Sequence, residues 1–269
     1  MVELSDAGTP TVSTVLLLHA GIVDSRMWKP QRDVLEAAGH RVVAPDLRGF
    51  GERRLEPAPF SHLRDAEALL DGPAAVVGNS LGGRVALELA VHRPELVERL
   101  MVIAPGLPGW DWSDETRASW GEEEKAYESG DLVTAAEACV RLWVDGPNRS
   151  RDQVDPGIRS QVTEMVLRSY ELQQGAWEAG AREEDVLDPP IRERLGEIRC
   201  PTLVLVGDDD VADMREIAAH VAGSIAGARL VGIERAAHLP SLERPDEVNR
   251  LLLAFLGERP EPRRAGFSR

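Results

Sequence analysis

Short apolar runs without inside–outside alternation punctuate this chain, each separated from the next by a stretch of helical period. Val12 to Leu18 closes on Val-Leu-Leu-Leu, and a strand apolar at successive positions is covered on both faces. Further strands are predicted at Arg41 to Ala44, Ala74 to Val77, Leu100 to Ala104, Thr202 to Val206 and Arg229 to Ile233. Helices are predicted between them: one carrying Trp28, Leu35 and Ala38 and capped by Gly39, a short one from about Leu63 to Leu70, and one from Leu81 to about Val91, ended by Pro94. Two more run from about Met214 to Ile225 and from about Pro245 to Leu256, the last capped by Gly257. Strands joined through helices need right-handed crossovers, which place helices on both faces of the sheet. The expected fold class is therefore α/β, a doubly wound, mostly parallel sheet.

The pattern breaks between about Gly106 and Pro190. That stretch holds 19 acidic and 8 basic residues, and seven of the chain's twelve aromatics: Trp110, Trp112, Trp120, Tyr127, Trp143, Tyr170 and Trp177. No β-rich run interrupts it, so it reads as an inserted helical cap whose aromatics pack within it and over the sheet. The expected organisation is core at 1–105, cap at 106–190, core again at 191–257 and a flexible tail at 258–269.

Composition narrows the function. At 29.4 kDa the chain can bury about 70% of its unfolded surface, enough for one sizeable core. A net charge of −15 repels phosphate backbones and anionic lipid heads, so neither nucleic acid nor a membrane surface is an expected partner. Cys139 and Cys200 form neither a disulfide framework nor a C-x-x-C pair and read as small buried hydrophobes in a reducing compartment. The N-terminus has no basic and apolar leader pattern, and no run approaches 18 apolar residues; a soluble, cytoplasmic protein is the expectation.

Chemistry concentrates at Gly78-Asn79-Ser80-Leu81-Gly82, where an apolar strand meets an apolar-faced helix. A serine there sits on a strained turn with its hydroxyl projecting above the sheet, and flanking glycines let strand and helix approach. The following helix adds its positive end and the Leu81 N–H, a donor for a developing oxyanion. A serine hydroxyl is a weak nucleophile near neutral pH and needs a base. Among the six histidines, His238 lies on the loop between the last strand and the last helix, the side where strand C-termini face the elbow. His40, His62, His92 and His220 occupy element ends or helices and read as solvated or capping. The imidazole needs an orienting carboxylate. Asp208, Asp209 and Asp210 end the penultimate strand and Asp213 lies just beyond; chain order Ser, Asp, His favours this group, and Asp210 is the choice. Ala104-Pro105-Gly106-Leu107-Pro108, after the strand following the elbow's helix, offers no carboxylate. A second oxyanion donor is expected after the first strand, where the Gly21 N–H is the candidate. Asp46 to Gly51 reads as a glycine-rich structural turn held by Asp46 and Arg48.

Taken in order, His19-Ala20-Gly21, Asp46-Leu47-Arg48-Gly49-Phe50-Gly51, Gly78-Asn79-Ser80-Leu81-Gly82-Gly83, Gly207-Asp208-Asp209-Asp210 and His238-Leu239-Pro240 with Glu243-Arg244-Pro245 resemble the α/β-hydrolase superfamily from Val15 to Leu256. The resemblance implies an α/β-hydrolase fold, and it selects Asp210, since the family's acid stands three residues after the strand-ending glycine. Met27-Trp28-Lys29-Pro30-Gln31 and the Glu-Arg-Pro segment are similar to the 3-oxoadipate enol-lactonase and cofactor-free haloperoxidase group. Ala20 replaces the usual glycine of the His-Gly motif, which implies a slightly altered oxyanion loop. Arg53 and Arg54 stand where a serine commonly follows Gly51, with no expected effect on chemistry. The antiparallel hairpin that often opens the family is expected to be missing or shortened, leaving six parallel strands.

The expected function is serine hydrolysis of a small or medium carboxylic ester or lactone, with catalytic Ser80, Asp210 and His238, an oxyanion hole from Gly21 and Leu81, and Ile22 and Trp143 lining the substrate site. No metal or organic cofactor is required, and the expected partner is a small molecule. The alternatives are a carbon–carbon bond hydrolase of a diketone using the same triad, or a low-turnover ligand-binding protein of this fold. The resemblance implies against dehalogenase and epoxide hydrolase chemistry, which uses an aspartate at the elbow.

Overall fold

The computed structural model describes residues 13–184 and 187–257. The expected strand start at Val12 and the expected tail at 258–269 lie outside the described residues. In chain order the elements are β1 (Thr14–Leu18), α1 (Lys29–Ala37), β2 (Arg41–Val43), β3 (Pro59–Phe60), α2 (His62–Glu67), β4 (Ala74–Asn79), α3 (Leu81–His92) and β5 (Val97–Ile103). Then follow α4 (Asp114–Glu128), α5 (Leu132–Val140), α6 (Pro156–Gln173), β6 (Arg182–Glu183), α7 (Ile191–Arg194), β7 (Thr202–Gly207), α8 (Ala212–Ser224), β8 (Arg229–Ile233), α9 (Pro240–Glu243) and α10 (Pro245–Gly257).

Six strands form one all-parallel sheet in the order β2-β1-β4-β5-β7-β8. Every residue of β4 and of β7 is buried, as expected for central strands without alternation. The edge strand β8 instead leaves Arg229, Leu230 and Gly232 exposed. Helices form two packed groups, α1 with α9 and α10, and α3 with α2 and α7, so the sheet is doubly wound. Val15 to Leu18, Val85 to Leu87, Leu100 to Ile103 and Leu203 to Val206 supply one continuous core. Among the described residues no helix is long and apolar enough to cross a membrane.

Between β5 and β7 the chain is mostly helical. Contrary to the expectation of no strand there, β6 pairs in parallel with β3 through Pro59–Arg182 and Phe60–Glu183. Two residues per strand are too few to show periodicity, so no sequence pattern marks this pair. Gly257, expected as a cap, is the last residue of α10. Cys139 is buried as expected, whereas Cys200 is only half-buried, at the surface entry to β7. Burial pushes the Cys200 thiol up to about 11.

Candidate active site

The chain reverses from β4 to α3 at the single residue Ser80, whose φ of 52° and ψ of −111° lie where side-chain-bearing residues rarely sit. Neighbouring backbone fixes it: Ser80 N–H donates to the Ile103 carbonyl at 2.9 Å, and the Ser80 carbonyl accepts from Arg84 at 2.9 Å and Gly106 at 3.0 Å. The flanking glycines are required by proximity. A Cβ on Gly78 would run into the Gly82 carbonyl, and one on Gly82 would run into the Leu18 carbonyl. Strand β4, helix α3 and the end of β1 are thereby pressed together, with Ser80 at the turn and partly exposed.

His238 lies between β8 and α9, almost fully buried, with Nδ1 2.9 Å from Oδ2 of the buried Asp210. The other Asp210 oxygen accepts from Val211 N–H at 2.9 Å. A carboxylate against Nδ1 keeps the proton there and leaves Nε2 as the acceptor. Backbone ties set this loop against the elbow: buried Asn79 donates through Nδ2 to the carbonyls of Ile103 at 3.0 Å and His238 at 3.2 Å. His238 N–H donates to the Trp143 carbonyl at 3.1 Å. The Trp143 ring centroid stands 4.4 Å from that of His238, and Trp120 and Trp112 continue the row at 6.3 and 4.7 Å.

The acids after β7 divide by partner. Asp208 is exposed beside Gly232, and Asp209 sits 3.7 Å from Arg149 Nε. Asp213 accepts from Ser113 N–H, Ser113 Oγ and Thr116 Oγ1, each at 2.7 Å. Burial works to raise its pKa, but these three donors outweigh it and hold the carboxyl below its ordinary range. Asp210 alone of the four bonds the His238 ring.

Gly21 and Leu81 come together beside Ser80. A Cβ on Gly21 would stand 3.5 Å from the Leu81 Cβ, and the His19 carbonyl accepts from Gly82 N–H at 3.1 Å. As the first residue of α3, Leu81 has no intrahelical acceptor for its N–H. Ile22 is partly buried against the core. Trp143, expected to line the substrate site, packs its ring on His238 and Trp120.

Two histidines hold places that sequence reasoning did not give them. His19 is fully buried, its Nδ1 donating to the Ala20 carbonyl at 2.8 Å and its Nε2 accepting from Leu47 N–H at 2.8 Å. It braces the loop after β1 against the Asp46–Gly51 turn, and burial lowers its pKa, keeping it neutral. That turn is held as expected by Asp46, which accepts from Ser25 and Glu52 N–H, while Arg48 reaches Asp65 at 2.7 and 2.8 Å. His62, expected to be solvated or capping, is buried instead, edge-on to Phe60 at 5.0 Å, with its pKa pushed down to about 4 by burial. It opens α2 after the β3–β6 pair, the element the sequence did not reveal.

Three comparisons bear on this arrangement. A 272-residue alignment gives 31% identity to the protein of Azorhizobium caulinodans named "Putative carbamate hydrolase RutD", covering 95% of this chain and 94% of that one. A thermophilic esterase from Thermogutta terrifontis, solved with malate bound, superposes with a TM-score of 0.70 at 26% identity over 92% of this chain and 90% of that one. The enol-lactonase from Burkholderia xenovorans LB400 superposes with a TM-score of 0.71 over 92% of both chains; at 23% identity that likeness speaks for the fold. Residues 15–251 match the profile described as the alpha/beta hydrolase family, and with this sheet and these relatives the chain belongs to that family of hydrolases.

Proposed function

We propose that the protein hydrolyses small or medium neutral carboxylic esters or lactones through an acyl-enzyme on Ser80. His238 Nε2 takes the Ser80 proton as Oγ attacks the carbonyl carbon, and Asp210 holds the ring in the required tautomer and stabilises the imidazolium. The tetrahedral oxygen, now negative, accepts from the Gly21 and Leu81 N–H groups. The carbon–oxygen bond to the leaving group then breaks as the imidazolium returns its proton to that oxygen. Water, deprotonated by His238, attacks the ester on Ser80, and the acid departs with Ser80 reprotonated.

The observation carrying this reading is the strained Ser80 backbone at the strand–helix reversal, with a histidine on the neighbouring loop hydrogen-bonded to a buried aspartate. An ester preference is supported by the likeness to an esterase at 26% identity. Treatment with a fluorophosphonate, followed by a panel of p-nitrophenyl esters, lactones and diketones, tests it. Labelling and multiple-turnover ester or lactone hydrolysis, both lost in Ser80→Ala, are expected. Labelling without turnover would indicate a binding protein of this fold, and cleavage of the diketone alone a carbon–carbon hydrolase.

A further inference from the structure

Arg149 lies in the segment between α5 and α6, and its side chain is only 10% exposed. Its guanidinium gathers groups from three parts of the chain. Within its own segment it donates to the carbonyls of Val144 at 2.6 Å and Asp145 at 2.8 Å. From the loop after β8 it meets the Arg235 carbonyl at 3.4 Å, and at the end of α9 it pairs with Glu243 at 2.7 Å. From the loop after β7 it meets Asp209 at 3.7 Å. Glu243 is 5% exposed, and its second oxygen accepts from Ala237 N–H at 2.8 Å.

Three of the residues that the pair engages stand next to a member of the site. Val144 follows Trp143, Asp209 precedes Asp210, and Ala237 precedes His238. The approach is close as well, because a Cβ on Gly146 would run into the Asp209 carbonyl. A buried, multiply bonded ion pair costs desolvation, and replacing such a pair by apolar groups is often neutral for stability, so stability alone does not account for it.

We infer that Arg149 and Glu243 are positioning residues that hold the Trp143, Asp210 and His238 segments in register, so that the imidazole stays hydrogen-bonded to Asp210 and aimed at Ser80. Neither touches the reacting atoms. The inference rests on the triad proposed above, so its test carries one readout independent of turnover.

The variants are Arg149→Met, Glu243→Gln, the double variant and Arg149→Lys, all measured well below their melting temperatures. On a short p-nitrophenyl ester, Arg149→Met and Glu243→Gln should each lower kcat roughly 10- to 100-fold, the scale of a small misplacement of reacting groups. KM should stay within about threefold, since neither residue contacts the substrate and the loss falls on the alignment needed in the transition state. The double variant should be no worse than the poorer single one, as expected of two residues acting as a unit. Arg149→Lys, which keeps the charge but not the carbonyl bonds, should recover part of kcat. In parallel, proton NMR of the His238 Nδ1–H, assigned by its loss in His238→Gln, should show a protected downfield signal in wild type and Arg149→Lys that exchanges away in Arg149→Met and Glu243→Gln. Folded Arg149→Met and Glu243→Gln with both kcat and this signal unchanged would overturn the inference. If wild-type enzyme neither labels at Ser80 nor turns over ester, the nucleophile reading falls, and the Nδ1–H signal alone decides the pair.

Discussion

Ser80 and its glycines show most directly how residue identity becomes geometry. The left-handed φ at Ser80 is tolerated because three backbone hydrogen bonds fix it and because nothing larger than hydrogen projects from Gly78 toward α3 or from Gly82 toward the end of β1. Gly82→Ala should therefore drive a methyl into the Leu18 carbonyl and destabilise the fold by about 1–3 kcal/mol or more, read as a lowered denaturant midpoint or as insoluble protein. Asp210→Asn is expected to act oppositely, sparing the fold while lowering kcat on the order of 10³- to 10⁴-fold, because an amide offers Nδ1 the wrong partner. Turnover near wild type in that variant would shift the orienting role to another carboxylate. Ser80, Asp210 and His238 could be nominated from the sequence because each follows a strand, and the structure brings the last two within hydrogen-bond distance. Trp143 was expected, as an aromatic of the helical stretch, to line the substrate site, but its seat on the His238 ring was not. Its place on His238 depends on a long-range hydrogen bond, from His238 N–H to its carbonyl, and no spacing rule encodes that contact.

Elements were readable where burial imposed a period. The buried strands β4 and β7 fall where continuous apolar runs stood, each extended by one or two residues into its terminal turn. The β3–β6 pair was invisible because a two-residue strand carries no period, and with it went the burial of His62. Helix α4 illustrates a join that no sequence pattern marks. Its N-cap Ser113 and first-turn Thr116 donate to Asp213, a residue a hundred positions later at the start of α8. Asp213→Ala should cost about 2 kcal/mol at pH 7, the scale for hydrogen bonds to a charged group, lowering Tm by roughly 4 °C in a chain of this length. The sign with pH follows from the depressed carboxyl. Its stabilisation is complete above the ordinary Asp value of about 4 and is lost as pH falls through the lower folded value. The Tm gap between wild type and Asp213→Ala should therefore narrow toward pH 2, as followed by circular dichroism; a gap that stays constant from pH 7 to pH 2 would show that the carboxylate form contributes nothing.

On the scale of the whole molecule, charge is the property that sequence gives without folding and that structure then interprets. The net charge is −15, and the stretch from Gly106 to Pro190 carries 19 acids against 8 bases. Several of the cations there are engaged: Arg159 holds Asp145 and Glu137, Arg149 holds Glu243, Arg141 pairs with Glu122 and Arg168 with Glu171. A net charge of −15 repels a substrate carboxylate at long range, which is the physical ground for proposing neutral acyl groups. Salt separates that field from local recognition, because the screening length shrinks from about 30 Å at about 10 mM to about 8 Å at about 0.15 M. Across that range kcat/KM for p-nitrophenyl butyrate should stay flat, whereas for the mono-p-nitrophenyl ester of succinate it should rise roughly threefold, as repulsion on the order of kT is screened. A fall with salt for the succinate ester would instead reveal a cation reaching the acyl group, and the preference for neutral substrates would have to be abandoned.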